Sequence, residues 1–116
     1  MSIKTTIKRA FALSYHERRP VEKQFIKLGE EVGELAVEIQ VQEGDTPVGK
    51  GSTDGINGEC VDVMLMALAI FVANGGKKKE FISRMEEKMD KWESQMPTEI
   101  PESIEFDIDK QLEELS

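Results

Sequence analysis

Residues 21–42 read VEKQFIKLGEEVGELAVEIQVQ, and their spacing decides the fold class. Val21, Phe25, Leu28, Val32, Leu35 and Ile39 recur at alternating intervals of four and three. That is the period of an apolar stripe along an α-helix, and it predicts a helix whose stripe faces other helices. Gly29 and Gly33 interrupt it. Each costs about 1 kcal/mol against alanine in a helix interior. Two such glycines predict a close approach to the backbone by a neighbouring helix or a ligand.

On the N-terminal side, Ile3, Ile7, Ala10, Phe11 and Ser14 fall at helical spacing and predict a helix over 5–17. The stretch His16 to Pro20 breaks it, because the residue before a proline is pushed out of helical geometry. On the C-terminal side, Gly44, Pro47, Gly49, Gly51, Gly55 and Gly58 predict a loop. A third helix is expected over 56–74. It is apolar on every side from Val63 onward, the pattern of a buried central helix. Asn74, Gly75 and Gly76 end it. A fourth helix is expected over 78–94, with Phe81, Ile82, Met85, Met89 and Trp92 on one side. No segment alternates with period two for long enough to call a strand. The expected class is all-α, a four-helix bundle over residues 1–96, followed by an acidic tail over 97–116.

Charge and composition narrow the function. The 116 residues carry a formal net charge of −8. Seven acids and one base lie in residues 97–116, so the body is nearly neutral. Neither part has the basic excess that a duplex nucleic-acid binder sets against phosphates. Lys77 to Lys79 form the only basic run, which reads as a solvated loop. The longest uninterrupted apolar run, Val63 to Ala73, is about half of the ~20 residues a spanning helix needs, so no membrane segment is expected. No apolar block follows Lys4, Lys8 and Arg9, so no leader is expected. Cys60 is the single cysteine, and a cytoplasmic setting fits it. The hydrophobic fraction of 39% supports a modest core, so a homo-dimer or homo-tetramer is expected to bury more.

The chemistry lies in the acids. Glu31 and Glu34 are three apart, and Glu30 and Glu34 four apart, so all three crowd one side of the second helix. Lys27, one turn earlier, relieves part of their repulsion. Glu59 and Asp62 repeat the i, i+3 device at the start of the third helix. Packing the two helices together would bring both pairs into one place. Converging carboxylates without a counter-charge are unfavourable, and a divalent cation resolves the conflict. With oxygen donors alone, a hard ion such as Mg²⁺, with Mn²⁺ as substitute, is favoured over zinc. On spacing alone, a solvated acidic helix face explains the same residues equally well.

The stretches LGEEVGELAVEIQ (28–40), GECVDVMLMALAIF (58–71) and EKMDKWESQMP (87–97) resemble the MazG-like, all-α nucleoside triphosphate pyrophosphohydrolases. The similarity covers about residues 15–97. It implies Mg²⁺-dependent hydrolysis of a nucleoside or deoxynucleoside triphosphate to monophosphate and pyrophosphate, with a deoxypyrimidine triphosphate as the substrate suggested by small single-domain members. It implies Glu31, Glu34, Glu59 and Asp62 as metal ligands and Glu30 as an additional ligand or the group that orients water; a carboxylate the metal leaves free, Glu30 or Glu34, would take the water's proton. It leaves Lys88 and Lys91 as candidates for the phosphate tail, with a plain exposed helix face as the other reading, and sets Tyr15 near where relatives place an aromatic beside the base; for Tyr15 and the single histidine, His16, packing at the helix end is the ordinary reading. The family's closing segment carries lysine, asparagine, arginine and tyrosine in turn. Here Lys88 and Lys91 are kept, Trp92 replaces the asparagine, and Glu93 to Met96 replace the rest. That departure touches the phosphate grip and therefore the substrate.

Two other readings stay open: a phosphoribosyl-ATP pyrophosphohydrolase, and a catalytically silent helical module that binds a protein partner. Gly44-x-x-x-x-Gly49-Lys50 is not a phosphate loop, because Gly51 stands where a serine or threonine is needed and no strand precedes it.

Overall fold

The computed structural model describes residues 2–44, 54–96 and 110–113. Among them the chain is all-helical. Four helices, α1 (Ile3–Tyr15), α2 (Val21–Gln42), α3 (Gly55–Ala73) and α4 (Lys78–Ser94), follow in order, with one further helical turn at 110–113. Most of the expected glycine loop and nearly all of the expected tail lie outside the described residues.

Local chemistry fixes the helix ends. The backbone N–H of Thr5 donates to Ser2 Oγ at 3.0 Å, a serine cap that starts α1 two residues before the expected Thr5. α1 then stops at Tyr15, short of the expected Glu17. The turn to α2 is closed by Arg19, which donates from Nε and a terminal guanidinium nitrogen to the two carboxylate oxygens of Glu17 at 2.9 and 2.7 Å. Gln24 Nε2 donates back to the Arg19 carbonyl at 2.8 Å, tying this turn to α2. Gly44 and Gly75 follow α2 and α3 with φ of 83° and 81°. That left-handed conformation ends a helix at little cost only for glycine.

The chain divides into two compact units, one of Ala12–Gly75 and one of Met1–Phe11 with Gly76–Ser116. In the second unit, Phe11 is 1% exposed and meets Phe81 of α4 edge to face, centroids 5.3 Å apart. In the first, α2 packs against α3.

The covered side of α2 corrects the sequence expectation. Its buried residues are Gln24, Glu31 and Glu38, a polar line at seven-residue spacing. Val21, Phe25, Val32 and Ile39 of the apolar stripe are exposed, Phe25 by 65%. Seven residues return a helix to nearly the same side, and the polar line sits about a quarter turn from the stripe's centre. Leu28 and Leu35, on the near edge of the stripe, are accordingly half-buried. α3 is likewise not the buried central helix expected. Only Glu59, Ala69 and Val72 are buried, while Val61, Met64 and Leu65 are exposed. By length and composition alone, its 19 residues are apolar enough to cross a bilayer, which a count of uninterrupted apolar residues does not reveal. Gly29 and Gly33 face open space, with nothing within 4 Å of an added Cβ, so no neighbour among the described residues makes the approach they suggested. Trp92, on the apolar side of α4, is also exposed.

Candidate metal centre

The polar line of α2 leads to the site. Glu31 lies at its middle, 6% exposed, and Glu59 of α3 is 1% exposed. Glu31, Glu34 and Glu59 each bring a carboxylate oxygen into a set whose members lie within 4.8 Å of one another. A second set of the same tightness joins Asp54, Glu59 and Asp62. Glu59 belongs to both. The two helical pairs expected from spacing are thus brought together by the packing of α2 on α3.

Asp54 was not expected. It stands at the N-terminus of α3, where an aspartate ordinarily caps the helix, yet its side chain makes no capping hydrogen bond. Its position depends on Gly58. A Cβ built at Gly58 would lie 2.6 Å from the Asp54 Cβ, so only glycine lets this side chain lie along the first turn. The signal was the i, i+4 pair of an aspartate and a glycine ahead of Glu59, hidden within a stretch whose glycines read as a loop.

Burial and charge act on these groups in opposite directions. Lys27 Nζ lies 3.1 Å from Glu31 Oε1 and 3.6 Å from Glu30 Oε2. The ammonium holds the Glu31 carboxyl below its ordinary range, against the effect of burial. Asp62 is pushed up, first by burial and then by the negative charge of Glu31. Glu31 Oε2 is buried with no hydrogen-bond partner. Buried carboxylate oxygens in native proteins are generally satisfied, so an orphaned one facing other carboxylates fits a cation. The donors are all carboxylate oxygens, which suits Mg²⁺ or Mn²⁺.

The remaining expected residues lie elsewhere. Glu30 is exposed on α2, paired with Lys27 and in neither carboxylate set. Tyr15 and His16 are exposed at the end of α1 and in the turn that follows. Lys88 and Lys91 are exposed on α4, in the other unit. The chain matches no protein-family model, no curated protein and no solved structure.

Proposed function

We propose that this chain is a metal-dependent nucleoside triphosphate pyrophosphohydrolase, cutting nucleoside or deoxynucleoside triphosphates to monophosphate and pyrophosphate. The observation that carries this reading is the pair of interlocked carboxylate sets meeting at the buried Glu59. One such set could be a chance of surface charge. Two sets sharing a buried member, with an orphaned oxygen on Glu31, make a concentration of negative charge that a folded chain tolerates poorly unless a cation is its partner.

Glu31, Glu34, Glu59 and Asp62 would hold Mg²⁺ or Mn²⁺, with Asp54 beside them. The metal, when bound, would neutralise phosphate oxygens and acidify water. Water attacks the α-phosphorus, its P–O bond forms as the bond to the bridging oxygen breaks, and pyrophosphate leaves. Glu34 is the exposed member of its set and is assigned the proton of that water. Glu30, exposed beside Lys27 and in neither set, is the candidate to orient that water. Tyr15 and His16, in the same unit as the carboxylates, are the candidate contacts toward the base.

The exposed apolar stripes of α2 and α3 belong to the same reading. Val21, Phe25, Val32 and Ile39 share one side of α2, and a row of exposed apolar residues of this kind suits an interface. A second copy suits it better than lipid, because Glu59 and Asp62 stand within α3, and acids inside a spanning helix are costly. A homo-dimer or homo-tetramer is the proposed state, and light scattering that reports a monomer overturns this part.

The activity is tested with a panel of triphosphates and Mg²⁺, a deoxypyrimidine triphosphate first, with products resolved. Monophosphate and pyrophosphate are expected. Diphosphate and phosphate, or no turnover of any nucleotide, would overturn it.

A further inference from the structure

The chain itself supplies a cation to the site. Lys27 reaches from one turn earlier on α2 and sets its ammonium 3.1 Å from Glu31 Oε1. The Lys27 side chain is 40% exposed, whereas that of Glu31 is 8%. The ammonium therefore approaches from the solvent side of a largely buried carboxylate. The two oxygens of Glu31 are divided: Oε1 is taken by Lys27, and Oε2 is buried without a hydrogen-bond partner.

A divalent ion held between Glu31, Glu34 and Glu59 would stand within a few ångströms of that ammonium. Two cations at such a distance, drawing on one carboxylate, repel each other. They cannot both keep Glu31 at full strength.

We infer that Lys27 is the resident counter-ion of the carboxylate site, exchanged for a divalent metal on loading and then free to bind the polyphosphate of the substrate. The inference rests on the metal-site reading above. Its physical content is a competition followed by a hand-over. The lysine stem has four rotatable carbons and a compact charge, so the ammonium released from Glu31 can swing while staying one turn away. The position it leaves lies beside the site where phosphate oxygens would gather, and an ammonium is a natural point-charge partner for them. The same side chain thus stabilises the empty carboxylates and later the bound anion. Glu30, 3.6 Å from the ammonium, provides a second, exposed resting place on the same helix.

The two halves of the exchange carry opposite signs, which a purely structural lysine would not produce. Lys27→Met removes the competitor, so the free protein should bind Mn²⁺ more tightly than the parent. The gain should be roughly 3- to 10-fold, kept modest by the solvent exposure of the lysine. The same variant, loaded with saturating Mn²⁺, should bind inorganic tripolyphosphate roughly 10-fold more weakly. Lys27→Gln should follow Lys27→Met, and Lys27→Arg should stay near the parent in both measurements. Titration calorimetry reads both affinities without turnover. Mn²⁺ binding that is unchanged or weaker in both neutral variants would overturn the inference, as would unchanged tripolyphosphate binding. A parent that binds no Mn²⁺ would bring down the metal-site reading, and this inference with it.

Discussion

Glu59 is the residue on which both carboxylate sets depend, and Glu59→Gln is the perturbation that separates a metal centre from a cluster of acids. Glutamine keeps the volume and the hydrogen-bonding reach of the side chain in a place that is 1% exposed. It removes one charge and one ligand oxygen from each set. The metal-free variant should be at least as stable as the parent, because one of several converging negative charges has gone. The parent should gain from metal. A ligand at one hundred times its dissociation constant stabilises the folded state by about 2.7 kcal/mol. For a chain of 116 residues that corresponds to a rise in Tm of roughly 10 °C. Glu59→Gln should lose most of this rise, with both sets broken at once. The assay is differential scanning fluorimetry with and without Mn²⁺, with Ca²⁺ for comparison and EDTA to reverse the shift. A parent whose Tm does not move with metal, or a variant that shifts as far as the parent, would refute the reasoning.

The other expectations concern single contacts. Gly58→Ala places a Cβ 2.6 Å from that of Asp54, a clash no rotamer relieves, so the backbone at Asp54 should shift and carry its carboxylate from the second set; Mn²⁺ affinity should fall several-fold while far-UV dichroism is nearly unchanged. Glu17 is depressed from 4.5 to about 2 by the hydrogen bonds from Arg19, so the stability it contributes is present above pH 4.5 and is lost as pH falls toward 2. Glu17→Gln should therefore lower Tm at pH 6 and flatten its decline across that acid window, as thermal melts at stepped pH will read. Phe11→Ala deletes a ring that is 1% exposed and its edge-to-face contact with Phe81; a loss of about 3–5 kcal/mol is expected in denaturant titration.

The helices were legible because their boundaries are written in local chemistry. Pro20 and Gly44 bracket α2, and its observed limits, Val21 and Gln42, are those expected from the apolar period. α4 likewise runs over the expected Lys78–Ser94. The two carboxylate pairs were legible for the same reason, since i, i+3 spacing on a helix fixes a shared side whatever surrounds it. Asp54 escaped because the spacing that matters runs through a glycine. What Gly58 contributes is the absence of a side chain, and that becomes meaningful only when the atom it makes room for is seen.

The side of α2 that the fold covers is not the one its apolar period predicts, and the reason is physical. Helical period tells which residues share a side, not which side a neighbour will cover. α2 carries two stripes about a quarter turn apart, one apolar and one of Gln24, Glu31 and Glu38, and the ordinary preference for burying apolar surface selects the first. The fold covers the second. Burying Glu31 and Glu59 while leaving Val21, Phe25, Val32 and Ile39 in water works against transfer free energy on both counts. Such an arrangement is sustainable if the polar line has a partner that rewards its burial and the apolar stripe has a cover of its own. On the reading proposed here a divalent cation meets the first need and a second copy of the chain meets the second. The two proposals are therefore coupled. A protein that binds Mn²⁺ tightly should also associate, and disrupting the stripe with Phe25→Asp should weaken the metal site through the α2–α3 packing that holds it. Mn²⁺ affinity measured on Phe25→Asp that matches the parent, in a variant that light scattering shows to be monomeric, would uncouple them and leave the apolar stripe without a role in the site.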